Sequence, residues 1–229
     1  MRPRPPHCVT RASAFSDRQR AFVASWSAHR GADVDDVVVG SKWGYTYVAD
    51  WDPDAEVHEV KDHSLAAYER QVAESRAVLG DRLALYQIHS ATRATGVLAD
   101  AAVLDALAEL RDSGTTVGLS TSGPDQATTI GDALEVRRGG DLLFGTVQST
   151  WNLLEPSAGP ALAAAHAAGL TVIVKEGVAN GRLAGHDTRL AERLVAAGRG
   201  ATADAVALAA VLAQPWAGIV LSGAATPDQ

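Results

Sequence analysis

Leu83-Ala84-Leu85-Tyr86-Gln87-Ile88-His89 is an apolar run of strand length that ends in a histidine. An earlier run, Val37-Val38-Val39-Gly40-Ser41-Lys42, ends in a lysine. Two strand ends that deliver a cation and an imidazole suit the polarisation of a carbonyl group. A proton donor, usually a tyrosine, should stand beside them, and none is found where it is expected.

Outward from these runs, strand-like and helix-like segments alternate. Strands are expected at 37–39, 83–89, 115–120, 142–148, 170–175 and 217–222. Helices are expected at 17–30, 65–79, 100–114, 124–137, 158–168, 187–198 and 202–213. Leu65, Tyr68, Val72 and Leu79 recur at helical spacing, and Gly80 can end that helix. Asp100 can cap a helix carrying Val103, Leu104, Leu107 and Leu110. Leu170-Thr171-Val172-Ile173-Val174-Lys175 has little polar alternation, as a strand buried on both faces would. The βαβα order implies a parallel sheet with right-handed crossovers. Polar residues collect at the strand C-termini: Lys42, His89, Ser120, Gln148, Lys175 and Ser222. A (β/α)8 barrel or a doubly wound sheet keeps its chemistry there. No G-x-G-x-x-G opens a helix after a strand, which counts against a dinucleotide-binding doubly wound domain.

A chain of 229 residues suits one α/β barrel or one large α/β domain. A net charge of −7 argues against a nucleic-acid surface. The apolar stretches fall short of the roughly 20 residues a membrane span needs. Met1-Arg2-Pro3-Arg4-Pro5-Pro6 has no apolar run after its arginines, so no secretory signal is expected. Cys8 is the single cysteine, which rules out an internal disulfide and makes the cytoplasm the default location. His58 and His63 lack the spacing of a metal pair, and no metal site is expected.

Five segments in order resemble the aldo-keto reductases, (β/α)8 barrels that use NADPH. They are Gly40-Ser41-Lys42; Asp81 to His89 as D-x-x-x-x-Y-Q-I-H; and Leu107 to Ser120 as L-x-x-L-R-x-S-G-x-x-x-G-L-S. Val147-Gln148 with Trp151-Asn152-Leu153-Leu154, and Ala179-Asn180-Gly181-Arg182-Leu183, complete the set. The resemblance runs from Ser16 to Gln229. It implies a partial barrel domain over 16–229, with a poorly defined segment at 1–15. About six of eight strands are expected, with the first strands and the last helix missing.

The family's catalytic set is an aspartate, a tyrosine, a lysine and a histidine. Lys42 matches the lysine and His89 the histidine. The aspartate and tyrosine of the family's D-T-A-x-x-Y-G-x-S-E stretch fall on Cys8 and Ser13 when Ser16-Asp17 is aligned with S-E. A serine hydroxyl is a far weaker acid than a phenol, whose ordinary pKa is about 10. The reading therefore expects little or no reductase activity. It leaves open a truncated reading frame, a degenerate paralogue, or another tyrosine, with Tyr45 and Tyr47 lying just after Lys42.

The resemblance also places the cofactor contacts. Ser120 and Thr121 stand where the family holds the nicotinamide carboxamide with a Ser-Asn pair, and Gln148 matches a glutamine on the same amide. Lys175 takes the place of a stacking tyrosine. It reads as a phosphate contact, a partner for Glu176, or a Schiff-base lysine as in barrel aldolases. Ser222 and Gly223 lie where the family begins to grip the adenosine phosphate. Asn152 reads as structural. Trp43, Trp51 and Trp151 read as pocket walls or as packing. The expectation is NADPH-dependent reduction of a small-molecule aldehyde or ketone. The rivals are a nucleotide-binding module without turnover and a non-functional fragment, and an open barrel edge would offer self-association.

Overall fold

A computed structural model describes residues 8–10, 25, 28–29, 37–49, 52, 54–185, 189–198 and 200–222. The helix expected over 17–30, Ser13, Trp51 and Gly223 lie outside these residues, wholly or nearly so. The chain divides into two compact units. One is Met1–Ser120 with Val136–Phe144, and the other is Thr121–Glu135 with Gly145–Gln229.

The first unit carries β1 (Cys8–Thr10), β2 (Val38–Trp43), β5 (Leu83–Ala91) and nearly all of β6 (Thr116–Thr121), adjacent in that order. β1 pairs with β2 in parallel, and β2 with β5. Strand β1 adds a parallel strand that the apolar pattern did not signal. Helix α1 (Leu65–Leu79) follows a short hairpin, β3 (Tyr45–Tyr47) and β4 (Glu59–Lys61). Ser64 caps α1 by accepting from the Ala67 amide at 3.2 Å, and Gly80 closes it at a φ of 54°. Helix α2 (Ala101–Asp112) begins at Asp100, whose carboxylate accepts from the Val103 amide at 3.2 Å. Its buried residues, Val103, Leu104, Leu107, Ala108 and Leu110, fall at the three-to-four spacing of one helical face.

The expected strand at 142–148 is divided. Gly139 and Gly140 both take positive φ, 66° and 92°. They turn β7 (Arg137–Arg138) onto β8 (Asp141–Leu142) as a two-residue hairpin. The parallel strand starts only afterwards.

The second unit holds that strand, β9 (Thr146–Thr150), then β10 (Thr171–Lys175) and β11 (Ile219–Val220), paired in parallel. Val172, Ile173 and Val174 are fully buried, as expected of a strand covered on both faces. Helices α3 (Gln126–Glu135), α4 (Gly159–Ala167), α5 (Arg189–Ala197) and α6 (Ala203–Leu212) accompany these strands. Leu183, Ala191, Leu194, Ala203 and Ala207 form an apolar cluster between loop, α5 and α6. Parallel strands alternating with helices are the α/β arrangement expected of an incomplete (β/α)8 barrel. No described helix is long and apolar enough to cross a membrane.

Two substitutions on α2 separate cap from core. Asp100→Ala should cost about 1 kcal/mol, the usual value of an N-cap. Leu107→Ala, at a fully buried position, should cost about 2–5 kcal/mol through lost burial and a cavity. Urea unfolding of the two variants beside the parent chain measures both.

Candidate active site

The β2–β5 pairing decides which way each side chain faces. Its register sets Ser41 opposite Tyr86, Lys42 opposite Gln87 and Trp43 opposite Ile88. Ser41 Oγ lies 3.3 Å from Ser75 Oγ on α1, and the Tyr86 ring meets Tyr68 of α1 at 6.2 Å. Ser41 and Tyr86 therefore face the helix. Alternation along the strands turns Lys42, Gln87 and His89 to the opposite face. Lys42 is only 3 % exposed. Gln87 is anchored there, its Nε2 donating to the Leu119 carbonyl at 3.5 Å. The lysine and the histidine thus stand on one face of two neighbouring strands.

A polar collar surrounds His89. The imidazole of His63 donates from Nε2 to the His89 carbonyl at 2.9 Å. Lys61 Nζ donates to the next carbonyl, Ser90, at 3.1 Å. Tyr45 sets its ring edge-on to the His89 ring, centroids 4.7 Å apart, and Lys61 Nζ sits 5.2 Å from the Tyr45 ring centre. Gln71 of α1 holds the bend that aims the hairpin. It accepts from the Gly44 amide at 3.0 Å and donates to the Tyr45 carbonyl at 3.1 Å. Gly44 has φ 114°, and a Cβ there would fall 2.4 Å from His63 Cδ2. Glycine is required at that point both for backbone conformation and for room.

Burial is the main cause that pushes His63 below its ordinary value of 6.5, partly offset by its bond to the His89 carbonyl. Since Nε2 carries the proton given to His89, Nδ1 holds a buried lone pair with no partner among the described residues. Tyr68 is pushed up to about 12 by burial, and its hydroxyl donates to the Ala106 carbonyl at 3.1 Å. It faces α2 and is no proton donor for this site. Trp43 packs on His63 and Tyr68 with centroids 5.5 and 5.2 Å away, so packing accounts for it.

In the second unit, Gln148 is opposite Ile173 in the sheet and is 1 % exposed. Its amide oxygen is buried and has no hydrogen-bond partner among the described residues. Its neighbour Ser149 points the other way, donating to Gln126 Oε1 on α3 at 2.6 Å. Thr121 donates its hydroxyl to Ser149 Oγ at 2.9 Å, with the Gln148 carbonyl at 3.4 Å. Its single proton is thereby committed within the protein. Lys175 Nζ pairs with Glu176 at 3.5 Å. Asn152 bonds backbone alone: Nδ2 donates to the Glu176 carbonyl at 2.9 Å, and Oδ1 accepts from the Leu154 and Glu155 amides. Trp151 packs on Trp216 at 5.5 Å. Ser120 is buried in the first unit and Ser222 is exposed in the second. Among the described residues no three His, Cys, Asp or Glu groups gather to hold a metal ion.

The sequence pattern assigned no role at this site to Lys61 or Gln71, and it weighed His63 only as a metal ligand. Tyr45-Thr46-Tyr47 and Glu59-Val60-Lys61 are short alternating runs, a hairpin signal. The eleven residues between them hide the pairing from any rule built on tight turns.

The sequence matches the model of the Aldo/keto reductase family over residues 18–229. The chain belongs to the aldo/keto reductase family. Among solved structures it is similar to the aldo-keto reductase AKR11C1 from Bacillus halodurans in its holo form. The TM-score is 0.68 at 20 % identity, covering 92 % of this chain and 69 % of that one. It is also similar to the glycerol dehydrogenase AKR11B4 from Gluconobacter oxydans, with a TM-score of 0.67 at 22 % identity, covering 91 % and 68 %. An aldo/keto reductase from Brucella melitensis aligns with a TM-score of 0.57 at 11 % identity, covering 90 % and 70 %. These likenesses establish the barrel-type fold, of which the chain spans about seven-tenths of each relative. No curated protein sequence matches the chain.

The lowered His63 has a consequence for stability. A group that prefers to be neutral when folded contributes fully above its ordinary pKa, and that contribution is lost as pH falls through this value toward the folded one. The thermal midpoint should therefore drop on acidification from neutral pH, and drop less in His63→Gln. Scans of both proteins across the imidazole range measure the difference.

Proposed function

We propose that the chain binds NADPH and reduces an aldehyde or ketone at the Lys42–His89 pair. The observation that carries this reading is the common face of β2 and β5, on which a buried lysine and an imidazole stand on neighbouring strands. In a site shielded from water, such donors stabilise negative charge developing on a carbonyl oxygen and contribute several kcal/mol. His89 would donate a hydrogen bond to that oxygen. Lys42 would favour loss of a proton from the neighbouring acid.

The residues fit a nicotinamide nucleotide in part. Gln148 keeps a buried amide oxygen without a partner among the described residues, which suits the carboxamide NH2 that the family resemblance assigns to it. Ser120 is given the same role by the family resemblance alone. Thr121 fits less well, because its proton already goes to Ser149. Lys175 and Ser222, with Gly223 beyond the described residues, would meet phosphate, Lys175 only by exchanging Glu176 for it. The bound nucleotide would supply a hydride. We place the protein in the cytoplasm, on its single cysteine.

A second reading, nucleotide binding without turnover, rests on Cys8 and Ser13, the positions that the resemblance aligns with the family's aspartate and tyrosine. With those positions altered, turnover requires an acid from elsewhere. The two readings part on one comparison. Under the reductase reading the chain quenches NADPH fluorescence on binding and oxidises NADPH in the presence of an aldehyde panel. Lys42→Met should then lose about 100-fold or more in kcat/KM while still binding NADPH. Binding with no oxidation by the parent chain would leave the binding module.

A further inference from the structure

The chain has four tyrosines, and the structure describes them all. Tyr68 is committed to the Ala106 carbonyl, and Tyr86 turns its ring toward Tyr68 on the helix side. Tyr47 faces the His58 ring at 6.4 Å and pairs with Glu59 across the hairpin. Tyr45 is the one whose ring touches His89.

The hairpin makes that contact directional. Tyr45 pairs with Lys61, Thr46 with Val60, and Tyr47 with Glu59. Cross-strand partners share a face, so Tyr45, Lys61, Tyr47 and Glu59 line one side. The other side is turned to α1, because Thr46 Oγ1 accepts from Arg70 Nη2 at 3.1 Å. Gln71 clamps the backbone on both sides of the bend, and Lys61 ties the second strand to the Ser90 carbonyl. Tyr45 is partly buried, and its hydroxyl has no hydrogen-bond partner among the described residues. Its proton is therefore uncommitted, unlike those of Tyr68 and Thr121.

We propose that Tyr45, held against His89 by the β3–β4 hairpin, is the proton donor for carbonyl reduction in this chain. This rests on the reductase reading above and deepens it. The carbonyl carbon accepts a hydride from the reduced nicotinamide, and the carbon–oxygen π pair moves onto oxygen. That oxygen takes the Tyr45 hydroxyl proton, giving the alcohol, an oxidised nicotinamide and a phenolate that water reprotonates. Lys61, whose Nζ lies 5.2 Å from the ring centre, acts as a positioning residue that holds the Tyr45 ring through a cation–π contact.

The test compares the full chain with Tyr45→Phe and Tyr47→Phe, using NADPH fluorescence titration and NADPH oxidation with aromatic and aliphatic aldehydes. Tyr45→Phe preserves the ring that meets His89, so circular dichroism should be unchanged. The expected result is NADPH affinity within about twofold of the parent and a loss of about 100-fold or more in kcat, the scale of a missing general acid. Tyr47→Phe should keep the parent rate. A parent rate retained by Tyr45→Phe overturns the assignment and leaves the reductase reading intact. NADPH binding by the parent without oxidation of any aldehyde also overturns it, in favour of the binding module. Absence of NADPH binding overturns both readings together.

Discussion

A one-residue slip between β2 and β5 would turn Lys42 toward α1 and Ser41 away from it. Everything at the candidate site depends on that register, since strand side chains alternate with a period of two. The pairing is not uniform: between Val39 and Gly40 the partner on β5 jumps from Leu83 to Leu85. The extra residue, Ala84, is exposed, as the unpaired residue of a bulge commonly is. Beyond it the phase stays constant, and the polar ends of both strands fall on one face. Gly40 lies at this point, where an added Cβ would meet the Leu85 side chain at 3.4 Å, an ordinary van der Waals contact.

Much of the scaffold was legible from periodicity and caps. Helix 65–79 was bounded by Gly80, and the helix after Asp100 by its cap, because these signals are local. The same holds for 170–175, whose short apolar centre, Val172-Ile173-Val174, is rich in β-branched residues and suits a strand covered on both faces. The division at 142–148 was not legible from apolar content. It hinges on two successive glycines with positive φ, whose meaning depends on the turn they make. Strand Cys8–Thr10 has three residues and no periodicity to read.

The site divides along the same line. Lys42 and His89 end long strands, where sequence patterns speak clearly. Tyr45, Lys61 and His63 belong to short runs separated by a loop, and only the fold brings them to His89. For Thr121 and Gln148 the resemblance gave one role to both, while the structure treats them differently. Thr121 donates into a chain of side chains that ends on Gln126, and Gln148, on the opposite face, keeps an acceptor in reserve. A motif position states where a residue stands, whereas its remaining hydrogen-bonding capacity depends on its neighbours.

The hairpin leaves the sheet at Gly44 and returns at Asp62, whose amide donates to the Gly44 carbonyl at 2.9 Å. The two ends are thus stitched together, and the backbone re-enters α1 through the Ser64 cap as if nothing had intervened. Such an excursion behaves as a cassette. Lengthening its tip alters the loop-closure entropy only slightly and leaves the β2–β5 register undisturbed. Evolution could therefore rewrite the surface that faces His89 by insertion or exchange between Gly44 and Asp62, without renegotiating the framework that carries Lys42 and His89.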